Sequence, residues 1–244
     1  MIHITRMALL LNQCGRKADV CGRFALATEK DILDMLYDLE SRTGFELPCS
    51  YNIAPTQQSV LLRLFPGEEQ PQLASLQWGL VPFWADDPSI GSRMINARAE
   101  TIAVKPSFRE AFKKRRALVP ASGFFEWKKE NGGKQPYYIT RKDKRPFSMA
   151  GLWESWNKGG DVLETFTIIT TTANKLLAGL HDRMPVIIPE EAYQLWLDHS
   201  TDKEKISSLL QPSPVEELTL YPVSKAVNSP ANDRPELIEP LQST

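Results

Sequence analysis

The segment NGGK at 131–134 restricts the fold more than any other feature of this sequence. Consecutive Asn and Gly residues tolerate the positive φ angles of a tight turn, and such turns join neighbouring antiparallel strands. The flanking segments, 116–130 and 135–141, are rich in the aromatic and β-branched residues that strands favour, and the first contains a turn of its own. We therefore expect a hairpin near the middle of the chain and a fold built on a sheet.

The remaining periodic segments predict many strands and few helices. Further strands are predicted at 59–65, 147–156, 164–173 and 215–223, and a short strand or edge at 184–189. Segment 74–84 is predicted to be a strand that runs into a proline-broken aromatic segment. Helices are predicted at 107–116, 190–197 and 203–210, and from an N-cap at Thr28 through the apolar stripe of Ile32, Leu33, Leu36 and Leu39 to a stop at Gly44. We expect segment 51–57 to be a loop and the chain to be frayed from Asp233 onward. Because strands and helices do not alternate regularly, the pattern predicts an α+β fold around an antiparallel or barrel-like sheet.

Composition limits the class of protein. The formal net charge is −1 over 244 residues, so the chain has no general attraction to nucleic acid, although a local basic face can supply one. Three cysteines without a C-x-x-C pair predict neither a disulfide framework nor a metal site, and favour the cytoplasm. The apolar run 7–11 is too short to span a membrane. We expect a monomer with no cofactor, no metal and no membrane contact.

Cys21 begins the first candidate site, CGRF at 21–24. A free cysteine is most often a small buried hydrophobic residue. The next residue, Gly22, permits close approach of the backbone, and Arg23 supplies a rigid set of donors for an anion. From these residues alone, both a core thiol and a reactive thiol remain open.

Two other segments combine polar side chains at alternating positions. In INARAET, Asn96, Arg98 and Glu100 would face one side of a strand, either as a functional row or as a solvated edge. In HDRMP, His181 and Arg183 alternate, and Pro185 forces an extended backbone at Met184. His181 is either a functional residue or a loop residue that is hydrogen-bonded to the backbone. No metal-binding spacing accompanies His181.

Glu126 lies between Phe125 and Trp127 in the segment SGFFEW. A carboxyl group among aromatic side chains loses hydration, which raises its pKa toward the range that suits proton transfer near neutral pH. The alternative is a strand whose outward-facing residue happens to be glutamate. Both interpretations are compatible with the sequence pattern.

Aromatic and basic residues occur close together in sequence. The segment WGLVPFW contains Trp78, Phe83 and Trp84, which are either core residues or a platform on which bases stack. Segment 105–116 carries six basic residues and one glutamate, and is either a solvated face or a track for phosphates.

The ordered set of these motifs resembles the SOS-response-associated peptidase family, the abasic-site processing proteins. The motifs are CGRF (21–24), YNIAPTQ (51–57), WGLVPFW (78–84), INARAET (95–101), ALVPASGFFEW (117–127), HDRMPVI (181–187) and NDRPELIEP (232–240). The resemblance covers about residues 20–240. It implies one α+β domain with a mixed or antiparallel, barrel-like β core flanked by a few helices, and a positively charged groove for single-stranded DNA.

The resemblance also implies roles for individual residues. Cys21 would be the mature N-terminal cysteine that cross-links to the aldehyde of an abasic site, and Asn96, Glu126 and His181 would be the other catalytic residues. The implied DNA-binding residues are Gly22, Arg23, Asn52, Trp78, Trp84, Arg98, Trp127 and Arg183. The implied partner is single-stranded DNA containing abasic sites.

Residues 1–19 depart from the family pattern, because the cysteine follows Val20 and not an initiator methionine. Three explanations are open: a start site placed too early, since some valine codons can initiate translation; a propeptide removed by self-cleavage; or a retained extension that blocks the chemistry. We favour the first, with a domain at 20–240 and a frayed tail at 241–244.

Two other functions use the same residues. A thiol peptidase would employ Cys21 as the nucleophile and His181 as the base, with Asn96 or Glu126 as the orienting residue. A non-enzymatic binder of single-stranded DNA would need only the aromatic and basic segments. Peptide turnover, abasic cross-linking and simple binding separate the three functions experimentally.

Overall fold

The computed structural model describes residues 21–28, 33, 36–37, 49–65, 67–130, 132–158 and 160–242. The predicted extension at 1–19 lies outside these residues, as does most of the helix predicted after Thr28. Within that helix, Leu33, Leu36 and Tyr37 are helical, and Leu33 and Tyr37 are buried. No helix among the described residues is long and apolar enough to cross a membrane.

The described residues form thirteen strands and several short helices. The strands are β1 (Phe24–Leu26), β2 (Ser50–Ile53), β3 (Gln58–Arg63), β4 (Gln72–Trp78), β5 (Asn96–Arg98), β6 (Arg116–Ala121), β7 (Gly123–Glu130), β8 (Gly133–Arg141), β9 (Phe147–Lys158), β10 (Asp161–Thr172), β11 (Arg183–Pro185), β12 (Ile187–Ile188) and β13 (Leu218–Pro222). The α-helices are α1 (Arg109–Lys114), α2 (Tyr193–Leu197) and α3 (Lys203–Ser208). Short 3-10 helices span Pro88–Arg93, Glu190–Ala192, Val215–Glu217, Lys225–Asn228 and Pro235–Ile238.

Five strands close into a barrel. Pairing runs in the order β10-β4-β3-β6-β9, and β9 pairs again with β10. The β4–β10 pair is parallel and the other four pairs are antiparallel. Closure removes the unpaired edges that an open sheet would expose. The predicted α+β fold with a mixed, barrel-like core is confirmed.

A second sheet, in the order β13-β8-β7-β1-β2, packs beside the barrel and is antiparallel throughout. Successive residues of a strand face opposite sides of the sheet. Phe124 belongs to the large core that fills the barrel, whereas Phe125 packs with Tyr138, Val223 and other residues of the C-terminal segment. The second sheet therefore lies between two hydrophobic clusters, and the residue after Phe125 faces the barrel again.

The predicted central hairpin is confirmed. Strands β7 and β8 pair from Phe124 with Ile139 to Glu130 with Gly133. Gly132 and Gly133 both have positive φ angles, 101° and 135°, as the NGG sequence predicts.

Two expectations about loops are wrong. Segment 51–57 is a strand in its first half, because β2 pairs with β1 and its end is held by Asp233, whose carboxylate accepts a hydrogen bond from the Tyr51 amide at 2.6 Å. Residues 234–242 are not frayed, since Leu237 is buried and the Leu241 amide donates to the Pro222 carbonyl. Both errors arise from contacts between distant parts of the chain, which local sequence patterns do not contain.

Gly79 ends β4 at a point where only glycine fits. Its φ is +126°, and a Cβ atom there would lie 2.6 Å from the Gly91 carbonyl oxygen. We expect Gly79→Ala to lower the free energy of unfolding by about 3 kcal/mol or more, through backbone strain and steric overlap together. Gly67→Ala is the matched control, with positive φ but open space, and should cost about 1 kcal/mol. Equal losses in urea unfolding would contradict the steric argument.

Candidate active site

Cys21 and Glu126 are in direct contact. The Cys21 backbone amide donates a hydrogen bond to Glu126 Oε1 at 2.7 Å, across 105 residues of sequence. The alternation of β7 brings the Glu126 carboxyl to the same face as Phe124, where Cys21 also packs. Cys21 is fully buried and Glu126 is 3% exposed. The Cys21 backbone has a φ of +48°, uncommon for a non-glycine residue.

Burial raises the pKa of Glu126 from 4.5 to about 7. Hydrogen bonds from the Cys21 and Trp127 amides and the charge of Lys134 oppose the increase, while the charge of Asp182 adds to it. Glu126 is thus poised to accept or release a proton near neutral pH. The influence of Asp182 also indicates that the loop containing His181 lies within electrostatic range of Glu126.

The Cys21 thiol experiences the same environment. Burial, and then the charge of Glu126, raise its pKa well above the ordinary value. The thiol is therefore neutral at physiological pH in this arrangement.

Arg23 and Asn52 join the first two strands to the C-terminal segment. Arg23 Nη1 donates to Asn52 Oδ1 and to the Val227 carbonyl, both at 2.7 Å. Asn52 Nδ2 donates to the carbonyls of Ser229 and Asn232 at 3.0 and 2.6 Å. Both side chains are nearly inaccessible, with Asn52 only 1% exposed. Arg23 and Asn52 are therefore interior residues that hold the C-terminal segment against the first two strands.

The predicted aromatic residues divide into inward and outward groups. Trp78 is fully buried, and its Nε1 donates to the Ile95 carbonyl at 2.9 Å, next to Asn96. Its ring centroid is 5.1 Å from that of Phe24. Phe83 and Trp84 are 51% and 45% exposed and form the outward group. The structure therefore makes Trp78 a bridge between the Cys21 segment and β5.

Trp127 is half-buried on the face of β7 opposite Glu126. Its Nε1 donates to Asn228 Oδ1 at 2.8 Å, and the Arg23 guanidinium lies 6.0 Å from the centre of its ring. Gly22 is half-buried as well. Trp127 thus belongs with the Arg23 group and the C-terminal segment.

Strand β10 aligns two motifs that are distant in sequence. Its residues pair with β5, which carries Asn96 and Arg98, and with β11, which begins at Arg183. Arg183 forms a two-bond ion pair with Glu100, at 2.5 and 2.9 Å, and donates to the Thr170 carbonyl. Asn96 is half-buried and Arg98 is exposed.

His181 is half-buried at the end of the loop that leads into β11. Its Nδ1 accepts a hydrogen bond from the Arg183 amide at 3.2 Å and lies 2.8 Å from the Asp182 carboxylate. An unprotonated Nδ1 accepts the hydrogen bond from the amide, and a protonated Nδ1 donates one to the carboxylate.

The structure thus forms three groups from the predicted site residues. Cys21 and Glu126 touch, while Arg23, Asn52 and Trp127 share one network. The β10 group contains Asn96, Arg98, His181 and Arg183, and Trp78 and Asp182 link it to the first group. Trp84 stands apart on an exposed loop. Sequence reasoning assigned no role to Lys134, Asp182 or the acceptor carbonyls of 227–232, because their importance depends on contacts made only in the fold.

A raised carboxyl pKa makes stability depend on pH. Between about pH 4.5 and 7 the unfolded chain loses the Glu126 proton while the folded chain keeps it, so the free energy of unfolding decreases as pH rises through this range. The shift corresponds to about 3 kcal/mol. We expect Glu126→Gln to remove this dependence, so that the variant gains about 3 kcal/mol relative to the parent between pH 5 and 8.

Chemical unfolding across this pH range measures the difference. Glu130→Gln, at the exposed end of the same strand, controls for the loss of one carboxyl group. If the curves for the parent and Glu126→Gln run parallel, the assignment of a buried, protonated carboxyl is wrong.

Asn52→Ala tests the connection to the C-terminal segment. The substitution removes donors from the Ser229 and Asn232 carbonyls and the acceptor from Arg23, so we expect a loss of about 2–4 kcal/mol in the free energy of unfolding. The exposed Asn157→Ala serves as the control and should change stability by less than about 0.5 kcal/mol. A similar small effect at Asn52 would show that the network contributes little.

Comparisons with known proteins agree with the sequence motifs. The model for the family described as SOS response associated peptidase (SRAP) matches residues 20–230. Abasic site processing protein YoqW of Bacillus subtilis is 44% identical over 224 residues, covering 90% of this chain and 99% of that protein. Abasic site processing protein YedK of Escherichia coli is 35% identical over 228 residues, covering 91% and 100%.

A vertebrate relative and a solved structure extend the similarity. Abasic site processing protein HMCES of Xenopus tropicalis is 35% identical over 217 residues, covering 77% of this chain and 64% of that protein. A crystal structure of a protein from Bacteroides thetaiotaomicron is 31% identical, covers 91% of this chain and all of that one, and superimposes with a TM-score of 0.78. The family model spans most of the chain and the relatives align over nearly its whole length, so this chain belongs to the SOS response associated peptidase (SRAP) family.

Proposed function

We propose that this protein processes abasic sites in single-stranded DNA by forming a covalent cross-link through Cys21. Its relatives carry the name abasic site processing protein, which supports DNA containing such sites as the partner. The observation that carries the proposal is the 2.7 Å contact between the Cys21 nitrogen and the buried Glu126 carboxyl. That contact places a proton-transfer group at the atom that would attack the damaged sugar.

The chemistry requires Cys21 to be N-terminal. An amide nitrogen is not nucleophilic, whereas an α-amine has a pKa of about 7.7–8.0 and is partly neutral at physiological pH. We therefore propose that the Val20–Cys21 bond is absent from the active protein and that the domain begins near residue 20. The start of the family match at residue 20 supports this boundary.

The cross-link forms in two balanced steps. The Cys21 amine adds to the aldehyde of the ring-opened sugar, and loss of one water gives an imine. The thiol sulfur then adds to the imine carbon, and its proton moves to the nitrogen, closing a five-membered thiazolidine. Amine and thiol belong to one residue, so ring closure is intramolecular and has a very high effective molarity.

Glu126 acts at both steps. As a carboxylate it accepts a proton from the attacking amine, and as an acid it protonates the departing hydroxyl group. A pKa of about 7 gives both forms comparable populations near neutral pH, which suits this exchange. Because the thiol pKa is raised, a protonated imine, and not a free thiolate, provides the driving force for ring closure.

The remaining residues would position the DNA. We assign Asn96 and His181 to the opened sugar and the phosphate beside it. The exposed Arg98 and Trp84 would contact the strand directly, by charge and by stacking. The interior residues Arg23, Asn52, Trp78 and Arg183 would shape the groove, with Trp127 and Gly22 at its margin.

The same contact favours a companion activity, cleavage of the Val20–Cys21 bond. Hydrolysis would add one water across this amide, releasing a carboxyl group at Val20 and the amine of Cys21. The departing nitrogen is the atom that already contacts Glu126, which would supply its proton. This activity would account for the peptidase in the family name and would generate the amine that the cross-link needs.

Cross-linking to an abasic oligonucleotide tests the proposal. Protein that begins at Cys21 should form an adduct that resists denaturant, whose mass is the sum of the two molecules minus one water. Protein that retains residues 1–20 should form none, because its nitrogen is an amide. Intact mass spectrometry before and after mixing reports both the N-terminus and the adduct.

Variants then separate the roles. Cys21→Ala should abolish the stable adduct, Cys21→Ser should leave only a labile imine, and Cys49→Ser, at an exposed thiol, should react normally. Glu126→Gln should slow formation by about 10²–10⁴-fold. A stable adduct from Cys21→Ala would refute the assignment, and turnover of unrelated peptides by the parent would favour the thiol peptidase.

A further inference from the structure

A small cavity between α1 and α3 has an entirely basic set of charged residues in its wall. Its volume is about 180 Å³, and the charged or titratable residues that line it are Lys113, Arg116, His199 and Lys203. No carboxylate belongs to this wall among the residues that the structure describes. Lys113 also forms an ion pair with the half-buried Glu110, at 3.6 Å, and Glu110 lies outside the wall. The cavity is thus a positively charged recess.

Arg116 places a buried positive charge beneath the cavity. Its side chain is 3% exposed and donates to the carbonyls of Trp196, Phe112 and Asp198 at 2.6–2.8 Å. Carbonyl dipoles satisfy the hydrogen bonds of the guanidinium but do not neutralise its charge. The Asp198 carboxylate accepts hydrogen bonds from Ser200 and Thr201 and offsets that charge only in part.

His199 adds a buried nitrogen that lacks a partner. Its Nε2 lies 2.8 Å from the Leu64 carbonyl, an acceptor, so this nitrogen carries the hydrogen. Its Nδ1 is buried and has no hydrogen-bond partner within the described part of the chain. A buried polar atom without a partner is energetically unfavourable. Once protonated, the imidazolium adds a positive charge to the wall of the cavity.

The cations around His199 oppose its protonation, so a bound anion would change its pKa. Burial and the charges of Arg116 and Arg115 lower its pKa, while the Leu64 carbonyl and Asp198 oppose this. Lys113 and Lys203 line the same cavity. An anion in the cavity would counter these cations and favour the charged imidazolium.

We propose that this cavity binds a tetrahedral oxyanion of the phosphate type, held by Lys113 and Lys203 beside the imidazole of His199 and the buried charge of Arg116. The volume is well below the roughly 300–1,000 Å³ of pockets that hold drug-sized molecules, so it suits a single phosphate group and not a whole nucleotide. The site is separate from Cys21 and Glu126 and does not depend on the cross-linking chemistry.

The phosphate group has two possible sources, a free ion and the backbone of a DNA strand. A neighbouring cavity of about 260 Å³ shares Ala103 and Phe112 with this one and is lined by Glu100, the partner of Arg183. The two cavities are therefore neighbours, and Glu100 lines the one nearer to Arg183. Separate titrations with free anion and with an oligonucleotide in phosphate-free buffer distinguish the two sources.

The ring resonances of His199 report occupancy in the full-length chain. Only three histidines are present, and His199→Gln assigns the signal. Sulfate, whose charge is constant in this pH range, is titrated at fixed ionic strength, with chloride as the balancing salt. We expect a saturable shift and a rise in the His199 pKa, so that sulfate affinity increases as pH falls.

Two double variants on the same helices provide the controls. Lys113→Ala with Lys203→Ala should weaken sulfate binding by at least about tenfold. Lys114→Ala with Lys205→Ala removes equal charge from α1 and α3 but leaves the cavity wall intact, and should bind as the parent does. All four lysines are exposed, and Lys203→Gln is a milder variant if the first pair lowers stability.

Each outcome either identifies the source of the phosphate group or overturns the proposal. A response to sulfate or phosphate alone identifies a free-anion site, whereas a response to an intact single-stranded oligonucleotide in phosphate-free buffer identifies a backbone phosphate. Absence of any saturable response at His199 would overturn the proposal. Equal loss in both double variants, or the same shift with chloride, would also overturn it by showing a general effect of positive charge.

Discussion

Strand β7 must pack against two hydrophobic clusters at once, and this requirement determines where the reactive groups lie. Phe124 enters the barrel core, Phe125 enters the cluster under the C-terminal segment, and Glu126 returns to the barrel side. Because the pleat of a strand alternates faces, Glu126 must share the face of Phe124. A carboxyl group is thereby carried into an apolar region, where the backbone amides of Cys21 and Trp127 donate hydrogen bonds to it.

Buried arginines stabilise the connections around this strand. Arg23 bonds to Asn52 and the Val227 carbonyl, Arg116 bonds to one carbonyl of α1 and two at the end of α2, and Arg183 pairs with Glu100. In each case the planar guanidinium satisfies several acceptors from different segments, which a lysine ammonium cannot do with the same geometry. Arg183 and Arg116 differ in how their charges are balanced. Glu100 neutralises Arg183, whereas the hydrogen bonds of Arg116 go to carbonyl groups, so Arg116 remains a source of positive potential.

Much of the secondary structure was predictable from local patterns. The NGGK turn, the alternating strands on each side of it and the basic helix α1 all occur where the sequence indicates. The short strands β1 and β2 were harder, because three or four residues carry too little periodicity and their pairing partners are remote. Local pattern also failed after Asp233, where burial of Leu237 and a bond to Tyr51 order a polar segment. For the site, the ordered motifs marked residues worth considering, but did not show that Trp78 faces inward and Trp84 outward.

The sequence by itself determined the hairpin, the class of fold and the identity of the residues available for chemistry, because these depend on neighbours a few positions away. Only the tertiary structure decided that the Cys21 amide meets Glu126 across 105 residues, that Arg183 is neutralised by Glu100, and that His199 shares a basic recess with α1 and α3. Those contacts follow from closure of the barrel through β10 and from burial on both faces of β7. The pKa of a carboxyl group depends on the atoms that replace its water, and those atoms come from distant parts of the chain.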